Sequence, residues 1–359
     1  MSYGSSNKFF GGATFGTGIS ANSCGVSAVT RWLRWIIVIS ISAVSVWAVT
    51  RMVVWKDLIE SLEGMEFRYV FVALAFLLLS MVCRMERWRL LLHDSSQIQR
   101  KHLLAALVIG YLGITVLPFR LGELARGYAA NRLTGVSVSD ALTAIFVEHV
   151  FDLGTLLLLL LWQWPLLRSN EWIQPVYLIG SLVLAISISG ILVVIVFSKT
   201  LIRYIQSLEE RAPQLVSKFG IAQHIVTAIS AVIRLRDTGL FLRLVVWSLV
   251  TWAFACAFNA AFLLALGINP VLEGAVLTIL GTNLVSVMPS TPGYIGVYDL
   301  ASVAALGILG VSSAEAVAFA VTSHFVLLSA FIVLGIVALG LTGMGWRSIT
   351  VRSEEKSEV

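Results

Sequence analysis

Long runs of apolar residues restrict the fold of this sequence more than any other feature. A helix that crosses the hydrocarbon layer needs about 20 apolar residues, and six runs reach that length with their flanks. They are about Ile36–Val54, Tyr69–Cys83, Asp140–Trp164, Val176–Ser198, Leu240–Leu266 and Glu315–Met344. Only 13% of the 359 residues are charged, against about 25% in an ordinary soluble domain. The sequence therefore predicts an all-α polytopic membrane protein with six transmembrane helices.

Two further apolar segments end at prolines and do not form complete crossings. Leu103–Leu117 ends at Pro118, and Gly274–Met288 ends at Pro289. A proline interrupts a helix, and backbone groups that are freed inside a bilayer need protein or water as partners. We therefore predict two re-entrant helical hairpins that are broken within the membrane. The candidate hinge or helix-break residues are Pro118, Gly122, Pro289 and Pro292.

An internal repeat relates the two broken segments. The segment Gly110–Pro118 aligns with Gly281–Pro289 at an offset of 171 residues, and Gly135–His149 then aligns with Gly310–His324 at an offset of 175. Each copy holds two spans, one hairpin and a further span. Because this makes an odd number of crossings, the second copy is inverted, which is the layout of alternating-access transporters.

The distribution of positive charge predicts the orientation. The connections 84–101 and 199–243 are both basic, and the positive-inside rule places both in the cytoplasm. The two basic connections lie on the same face of the membrane only if the segment 103–133 enters and leaves the membrane on one face, as a re-entrant hairpin. The first hairpin is therefore expected to open from the cytoplasm and the second from outside, with their tips meeting near the midplane. Both termini are predicted to be cytoplasmic, in the cell (inner) membrane.

The predicted domain organisation follows from these assignments. Residues 1–30 are rich in Gly, Ser, Thr and Asn and are expected to be disordered. The remaining boundaries are a single transmembrane domain at 31–344, repeat one at about 31–165, repeat two at about 175–344, cytoplasmic interfacial helices at about 199–238, and a cytoplasmic tail at 345–359. The net charge of +5 is explained by membrane topology and anionic lipid rather than by nucleic acid.

Ionisable residues inside the predicted membrane domain mark a candidate site. Arg120, Glu123 and Arg126 recur at every third position after the first break, so they line one side of a helix. The second group, near the middle of the third span, consists of Glu148, His149 and Asp152. One such residue at the centre of a span costs roughly 2.5 to 3.5 kcal/mol on insertion. We therefore expect the two groups to face one another.

Two guanidinium groups at a helix break suit a phosphate, which each can bind through paired hydrogen bonds. Arg120 and Arg126 are thus predicted to bind phosphate, while the carboxylates orient them or exchange protons. The alternative is that the arginines only neutralise the carboxylates and lock the hairpin to the span. Glu148 and His149 are also candidates for a proton relay.

The second break offers small polar residues and backbone amides, which can receive an anionic headgroup without a lysine. The candidates for substrate binding are Asn283, Ser290, Thr291, Gly293 and Asp299. The alternative is a tight turn that only lets helices pack closely. His324, in the last span, is either a satisfied core residue or a further proton-relay candidate.

Other motifs are given simpler interpretations. Arg84, Arg87, Trp88 and Arg89 follow the second span and predict an anchor at the inner interface, with headgroup capture as the alternative. A nucleotide or metal motif is not found in a suitable context, so no cofactor and no metal are predicted. The energy for any transport would come from an ion gradient, from a partner or from the gradient of the substrate itself.

Four pieces of the sequence resemble the transmembrane region of the lysylphosphatidylglycerol synthase and flippase family. They are RMERWRLLL (84–92), LPFRLGELAR (117–126), VEHVFD (147–152) and MPSTPGYIGVYD (288–299). The resemblance implies a polytopic inner-membrane protein that moves or handles an amphipathic lipid. The family pattern falls on Pro118, Arg120, Gly122, Glu123, Arg126, Glu148 and Asp152. His149, Tyr294 and Asp299 depart from it, since Arg, Gly and Glu are usual there.

The leading prediction is a flippase-type transporter of a phospholipid, glycolipid or polyprenyl-linked headgroup. Its partner would be a lipid with an anionic or phosphate-containing headgroup. Synthase activity is not expected, since the sequence ends soon after its last span and leaves no room for the soluble aminoacyl-transfer domain of that family. The alternatives are a membrane-bound lipid-linked glycosyl or phosphoryl transferase, and a non-catalytic membrane scaffold whose buried charges are structural.

Overall fold

The fold is taken from a computed structural model. It describes residues 55–92, 98–117, 121–168, 173–211, 232–286 and 291–344, together with isolated residues within 40–51 and 225–230. These residues form helices and turns, without a strand among them. The first half contains α1 (Trp55–Glu63), α2 (Phe67–Leu91), α3 (Arg100–Val116), α4 (Leu121–Thr134), α5 (Val138–Trp162) and α6 (Trp164–Leu167). The second half contains α7 (Ile173–Arg211), α8 (Thr238–Ala265), α9 (Val271–Val285), α10 (Val297–Gly307) and α11 (Ser313–Thr342), with 3₁₀ turns at Arg234–Arg236 and Pro292–Tyr294.

Five of the described helices are long and apolar enough to cross a membrane. They are α2, α5, the part of α7 from Leu178 to Tyr204, α8 and α11. These five match five of the six predicted spans, so the protein is a multi-pass membrane protein. The first predicted span, about Ile36–Val54, lies mostly outside the described residues, and the predicted tails at 1–30 and 345–359 lie entirely outside them. Helix α7 runs without a break to Arg211, so the region predicted to be interfacial begins as the continuation of a span.

The spans α5 and α11 begin with the same local structure. The hydroxyl of Ser137 accepts a hydrogen bond from the backbone N–H three residues later in α5, and that of Ser312 does the same in α11. A glycine with positive φ comes two residues before each cap, at Gly135 (+77°) and Gly310 (+74°). Serine is a preferred N-cap, and glycine tolerates this backbone region. The sequence repeat at an offset of 175 is therefore also a repeat of helix-start geometry.

Helices α3 and α4 form an antiparallel hairpin that closes through glycines. A Cβ atom added to Gly113 would lie 2.7 Å from the Cα of Gly122, and one added to Gly110 would lie 2.6 Å from the Cβ of Arg126. With 17 residues in α3 and 14 in α4, the helices are about 25 and 21 Å long. Both are shorter than the hydrocarbon layer of about 30 Å.

Helices α9 and α10 form a second antiparallel hairpin. A Cβ atom on Gly281 would lie 3.1 Å from the carbonyl oxygen of Ala301, and one on Gly274 would lie 3.3 Å from the side chain of Leu306. Gly281 is the repeat counterpart of Gly110. The two hairpins therefore close through glycine at corresponding positions.

The hairpins contact each other close to their tips. A Cβ atom on Gly293, in the 3₁₀ turn between α9 and α10, would lie 3.5 Å from the carbonyl oxygen of Thr115 near the end of α3. The same atom would lie 3.3 Å from Leu328 of α11. The turn of the second hairpin is thus held between α3 and α11. The predicted breaks at Pro118 and Pro289 lie outside the described residues.

Among the described helices, α2 and α8 form the most extensive pair, and they run antiparallel. The backbone N–H of Glu66 donates to the carbonyl of Ala265 at 2.8 Å, at the beginning of α2 and the end of α8. Further along α2, the hydroxyl of Ser80 donates to the carbonyl of Thr251 at 3.3 Å. Ser80 and Thr251 are separated by 171 residues, which is the offset that relates the two hairpins.

Candidate functional site

Arg87 lies at the centre of a buried charge network. Its side chain is 0% exposed, and its Nη2 donates to Oε1 of Glu148 at 2.7 Å and to Oδ2 of Asp152 at 3.1 Å. Its Nη1 donates to Oδ1 of Asp152 at 2.7 Å and to the hydroxyl of Ser248 at 3.0 Å. One guanidinium group therefore connects α2, α5 and α8.

Arg126 joins the first hairpin to the same network. Its Nη2 donates to Oε2 of Glu148 at 2.9 Å, so the two oxygens of Glu148 are bound by different arginines. The guanidinium group of Arg126 also lies 3.9 Å from the centre of the Trp88 ring, which adds a cation–π contact. The predicted contact between the hairpin and the third span is therefore present for Arg126 and Glu148.

Asp152 is bound from two further sides. The indole N–H of Trp252 donates to its Oδ1 at 2.8 Å, and Nη1 of Arg84 lies 3.9 Å from its Oδ2. Arg84 also lies 5.3 Å from the centre of the Trp252 ring. Phe151 packs on Phe241 near the beginning of α8, and Gln163 at the end of α5 donates to the carbonyl of Glu273, just beyond the end of α8. Helix α5 therefore runs parallel to α8 and antiparallel to α2.

The network contains more positive than negative charge. The arginines at 84, 87 and 126 outnumber the carboxylates at 148 and 152 by one formal charge. Among the described residues, the buried Nε atoms of Arg87 and Arg126 and the indole nitrogen of Trp88 have no hydrogen-bond partner. An unpartnered buried donor is costly. The cluster therefore has donors and positive charge to offer, which suits an anionic or water acceptor.

Glu123 and His149 form a separate pair. The Nε2 atom of His149 lies 3.2 Å from Oε1 of Glu123, and the side chains are 44% and 25% exposed. His149 lies near the middle of α5, so this pair reaches the protein surface at membrane depth. Neighbouring positions on a helix point about 100° apart, which separates His149 from the buried Glu148.

The turn of the second hairpin holds another polar group. The Nε2 atom of His324 lies 2.8 Å from the carbonyl oxygen of Gly293, and its Nδ1 lies 3.1 Å from Oδ1 of Asp299. The backbone N–H of Gly296 donates to Oδ2 of the same aspartate at 3.0 Å. His324 and Asp299 are thus brought together.

Other predicted residues of the second break have different positions. The side-chain amide of Asn283 donates to the carbonyl of Ile279 in its own helix at 2.9 Å. Thr291 lies partly buried just before the turn, and Ser290 falls outside the described residues, as does Arg120. Within the described residues, no hydrogen bond or ion pair connects Asp299 or His324 to the network around Arg87.

The prediction of an interface anchor is wrong for Arg87 and Trp88, because both side chains are fully buried. Trp252 and Ser248, four residues apart on α8, were missed as well. The burial of Arg87 had a signal in the sequence. Glu148 and Asp152 lie on one helix face, and two carboxylates inside the membrane domain need more than one positive partner. Gly122, predicted as a break, lies in the first turn of α4 and packs against α3.

These features define a class of protein: a polytopic helical membrane protein with two packed helical hairpins and a buried arginine–carboxylate network. A family model described as the lysylphosphatidylglycerol synthase TM region matches residues 35–338. The chain belongs to this family, which confirms the resemblance carried by the four sequence pieces. No curated protein and no solved structure matches the chain.

Proposed function

We propose that the protein is a flippase-type transporter that moves a lipid with a phosphate-containing headgroup across the cell membrane. The observation that carries this proposal is the excess of arginine in the buried network, where Arg84, Arg87 and Arg126 meet two carboxylates. Buried charge inside a membrane domain is costly and marks pathways for polar substrates. The lipid would be a phospholipid, a glycolipid or a polyprenyl-linked headgroup.

The chemistry of the network favours phosphate as the recognised group. Guanidinium groups bind phosphate oxygens in paired hydrogen bonds, and the unpartnered Nε atoms of Arg87 and Arg126 are donors that the carboxylates leave free. Glu148 and Asp152 would hold the arginines in place. Arg120, outside the described residues, would add a second phosphate-binding group at the hairpin tip.

For the membrane arrangement we propose six spans and two re-entrant hairpins in an inverted repeat. The antiparallel contact of α2 with α8 supports inversion, because these helices are the second spans of the two repeats. The antiparallel direction of α5 relative to α2 supports a first hairpin that returns to its side of entry. The shortness of α3 and α4 supports it further. Both termini would be cytoplasmic.

Transport would alternate the exposure of one central site between the two leaflets. The contact of the second turn with Thr115 near the end of α3 supports a meeting of the hairpin tips, which this mechanism requires. The surface pair Glu123 and His149 would lie on the path of the headgroup, because polar groups at membrane depth favour a wet or polar neighbour. Thr291, Gly293 and Asp299 would form the opposite wall.

The test is leaflet exchange of fluorescent lipids in liposomes that contain the purified chain. We expect Arg126→Gln to lose exchange of phosphate-bearing lipids while remaining folded, because Glu148 keeps Arg87 as its partner. Arg132→Gln is the matched control, since Arg132 lies on the same helix with its guanidinium beside Tyr128 at the exposed surface. Its exchange should equal that of the wild type.

One observation favours a scaffold as the second candidate, because each oxygen of Glu148 and Asp152 already has an arginine or tryptophan partner. If the buried charges are only structural, the leaflet exchange of folded Arg126→Gln should equal that of the wild type, including the case in which both are zero. That result would remove the phosphate role. The transferase alternative has less support, since carboxylates held by arginines are poor bases and poor metal ligands.

A further inference from the structure

His324 is placed between two hydrogen-bond acceptors. Its Nε2 faces the carbonyl oxygen of Gly293 at 2.8 Å, and its Nδ1 faces a carboxylate oxygen of Asp299 at 3.1 Å. The carbonyl oxygen has no proton to donate, so Nε2 must carry one. A neutral imidazole then has no proton left on Nδ1, and a lone pair would face the carboxylate.

Both contacts are satisfied only if the pair of side chains holds one additional proton. That proton either converts His324 to an imidazolium that donates to Asp299, or lies on Asp299 and is donated to Nδ1. In both cases the two residues together are neutral, and the proton belongs to the pair rather than to one residue. The Tyr298 ring stacks on His324 at 4.1 Å, which holds the imidazole in this position.

We propose that His324 and Asp299 form a proton-binding site that locks the turn of the second hairpin onto α11. The site lies eleven residues into α11, about 17 Å from its beginning. As a proton site it does not depend on lipid transport. As the coupling site of a proton-driven carrier it rests on the proposed function.

The turn that this site holds is under backbone strain. Tyr294 has a φ of +56°, a region that side chains other than glycine rarely adopt, and Gly293 and Gly296 on either side have φ of +70° and +82°. His324 bonds the carbonyl of Gly293, and Asp299 bonds the N–H of Gly296. Loss of the proton places two acceptors against each other, so the turn is expected to loosen from α11.

Few other titratable groups face His324 from the elements that pack on α11. The 3₁₀ turn carries Tyr294, and α10 carries Tyr298 and Asp299. On α3, Tyr111 stacks on Phe331, two turns further along α11, and the residues Arg100, Lys101 and His102 lie at the far end of that helix. On α8 the charged residue is Arg243, near its beginning, and on α1 the acidic Asp57 and Glu60 lie beside Glu315 at the start of α11.

The experiment is hydrogen–deuterium exchange of the full chain in detergent or nanodiscs without a lipid substrate, over a series of pH values. The readout is the protection factor of amides in 291–307, corrected for the intrinsic pH dependence of exchange. Loss of one charge-assisted hydrogen bond should lower protection roughly ten- to hundredfold at the higher pH values of the series, where the pair has released its proton. Protection of α9 amides should stay constant.

Asp299→Asn is the decisive variant. Its amide oxygen can accept from the N–H of Gly296 while its NH₂ group donates to Nδ1 of neutral His324, so both contacts persist without the extra proton. Protection in 291–307 should then stay high at the pH values where the wild type has lost it. His324→Gln should also remove the pH dependence, and the control His102→Gln, at the far end of α3, should retain it.

The proposal is overturned if wild-type protection in 291–307 does not change with pH, or if Asp299→Asn keeps the pH dependence of the wild type. The wild-type measurement stands even if a variant does not fold. Because the readout is local protection without lipid, its outcome is separate from that of leaflet exchange. A proton site without lipid exchange would remove only the coupling role.

Discussion

Replacing Arg87 by methionine is expected to abolish accumulation of folded protein. The substitution removes the four hydrogen bonds that Arg87 donates to Glu148, Asp152 and Ser248, whereas Arg126→Gln affects the one bond from Arg126 to Glu148. Removing one partner of a buried ion pair costs about 3 to 5 kcal/mol, which is a large part of the stability of most proteins. The measurements are the monodisperse fraction on size-exclusion chromatography and thermal unfolding followed by tryptophan fluorescence.

Arg68→Met is the matched control for that substitution. Arg68 lies at the start of the same helix, and its side chain is 71% exposed in an ion pair with Glu66. Exposed ion pairs contribute about 0 to 1 kcal/mol, so the control should fold as the wild type does. Equal behaviour of the two variants would contradict the buried network.

A compensated variant separates the structural role of the network from its proposed binding role. Arg87→Met combined with Glu148→Gln removes one buried charge of each sign and leaves Asp152 with Arg84 and Trp252 as partners. Neutral replacement of a buried ion pair is often tolerated. We expect folded protein to return. If the network binds phosphate, this folded variant should still fail to exchange lipid, whereas a purely structural network predicts wild-type exchange.

Gly122→Val is expected to destabilise the first hairpin strongly. A Cβ atom at this position would collide with the backbone of α3 at Gly110, Gly113 and Ile114, and backbone atoms cannot move aside as the end of a side chain can. Overpacking of this kind costs about 1 to 3 kcal/mol and sometimes more. The melting temperature should fall, and disulfide or label pairs placed across α3 and α4 should report a wider separation.

The control for Gly122 is Gly154→Ala in α5. An added Cβ at Gly154 meets no atom within 4 Å, and alanine favours a helix over glycine by about 1 kcal/mol. The melting temperature should therefore stay the same or rise. If Gly122→Val melted at the wild-type temperature, the close approach of α3 and α4 would be wrong.

The spans could be predicted from the sequence because they depend on local composition. The length of an apolar run is enough to predict that α5 or α11 crosses a membrane. The serine caps at 137 and 312 are also local signals. The contact of Arg126 with Glu148 was predictable too, since the hairpin and the next span are joined by a short turn. Arg126 and Glu148 lie at similar distances from this turn along the two helices, so they were expected to face each other.

The position of Arg87 could not be predicted in the same way. Its partners are 61 and 65 residues away on α5 and 161 residues away on α8, so its burial depends on tertiary packing. Read locally, an arginine beside a tryptophan at the end of a span is an interface anchor. The positions of Asp299 and His324 required the turn of the second hairpin, which proline and glycine mark without defining its geometry.

Ser80 and Thr251 meet at the same separation of 171 residues that relates the two hairpins, so in the proposed inverted repeat the axis between the two halves would pass beside this contact. A single copy of the half, inserted into the bilayer in both orientations, would find its twin along the same helix. In that arrangement, the surface of α2 that packs on α8 would be the contact between two such copies. Joining the copies in one gene would keep that contact within a single chain.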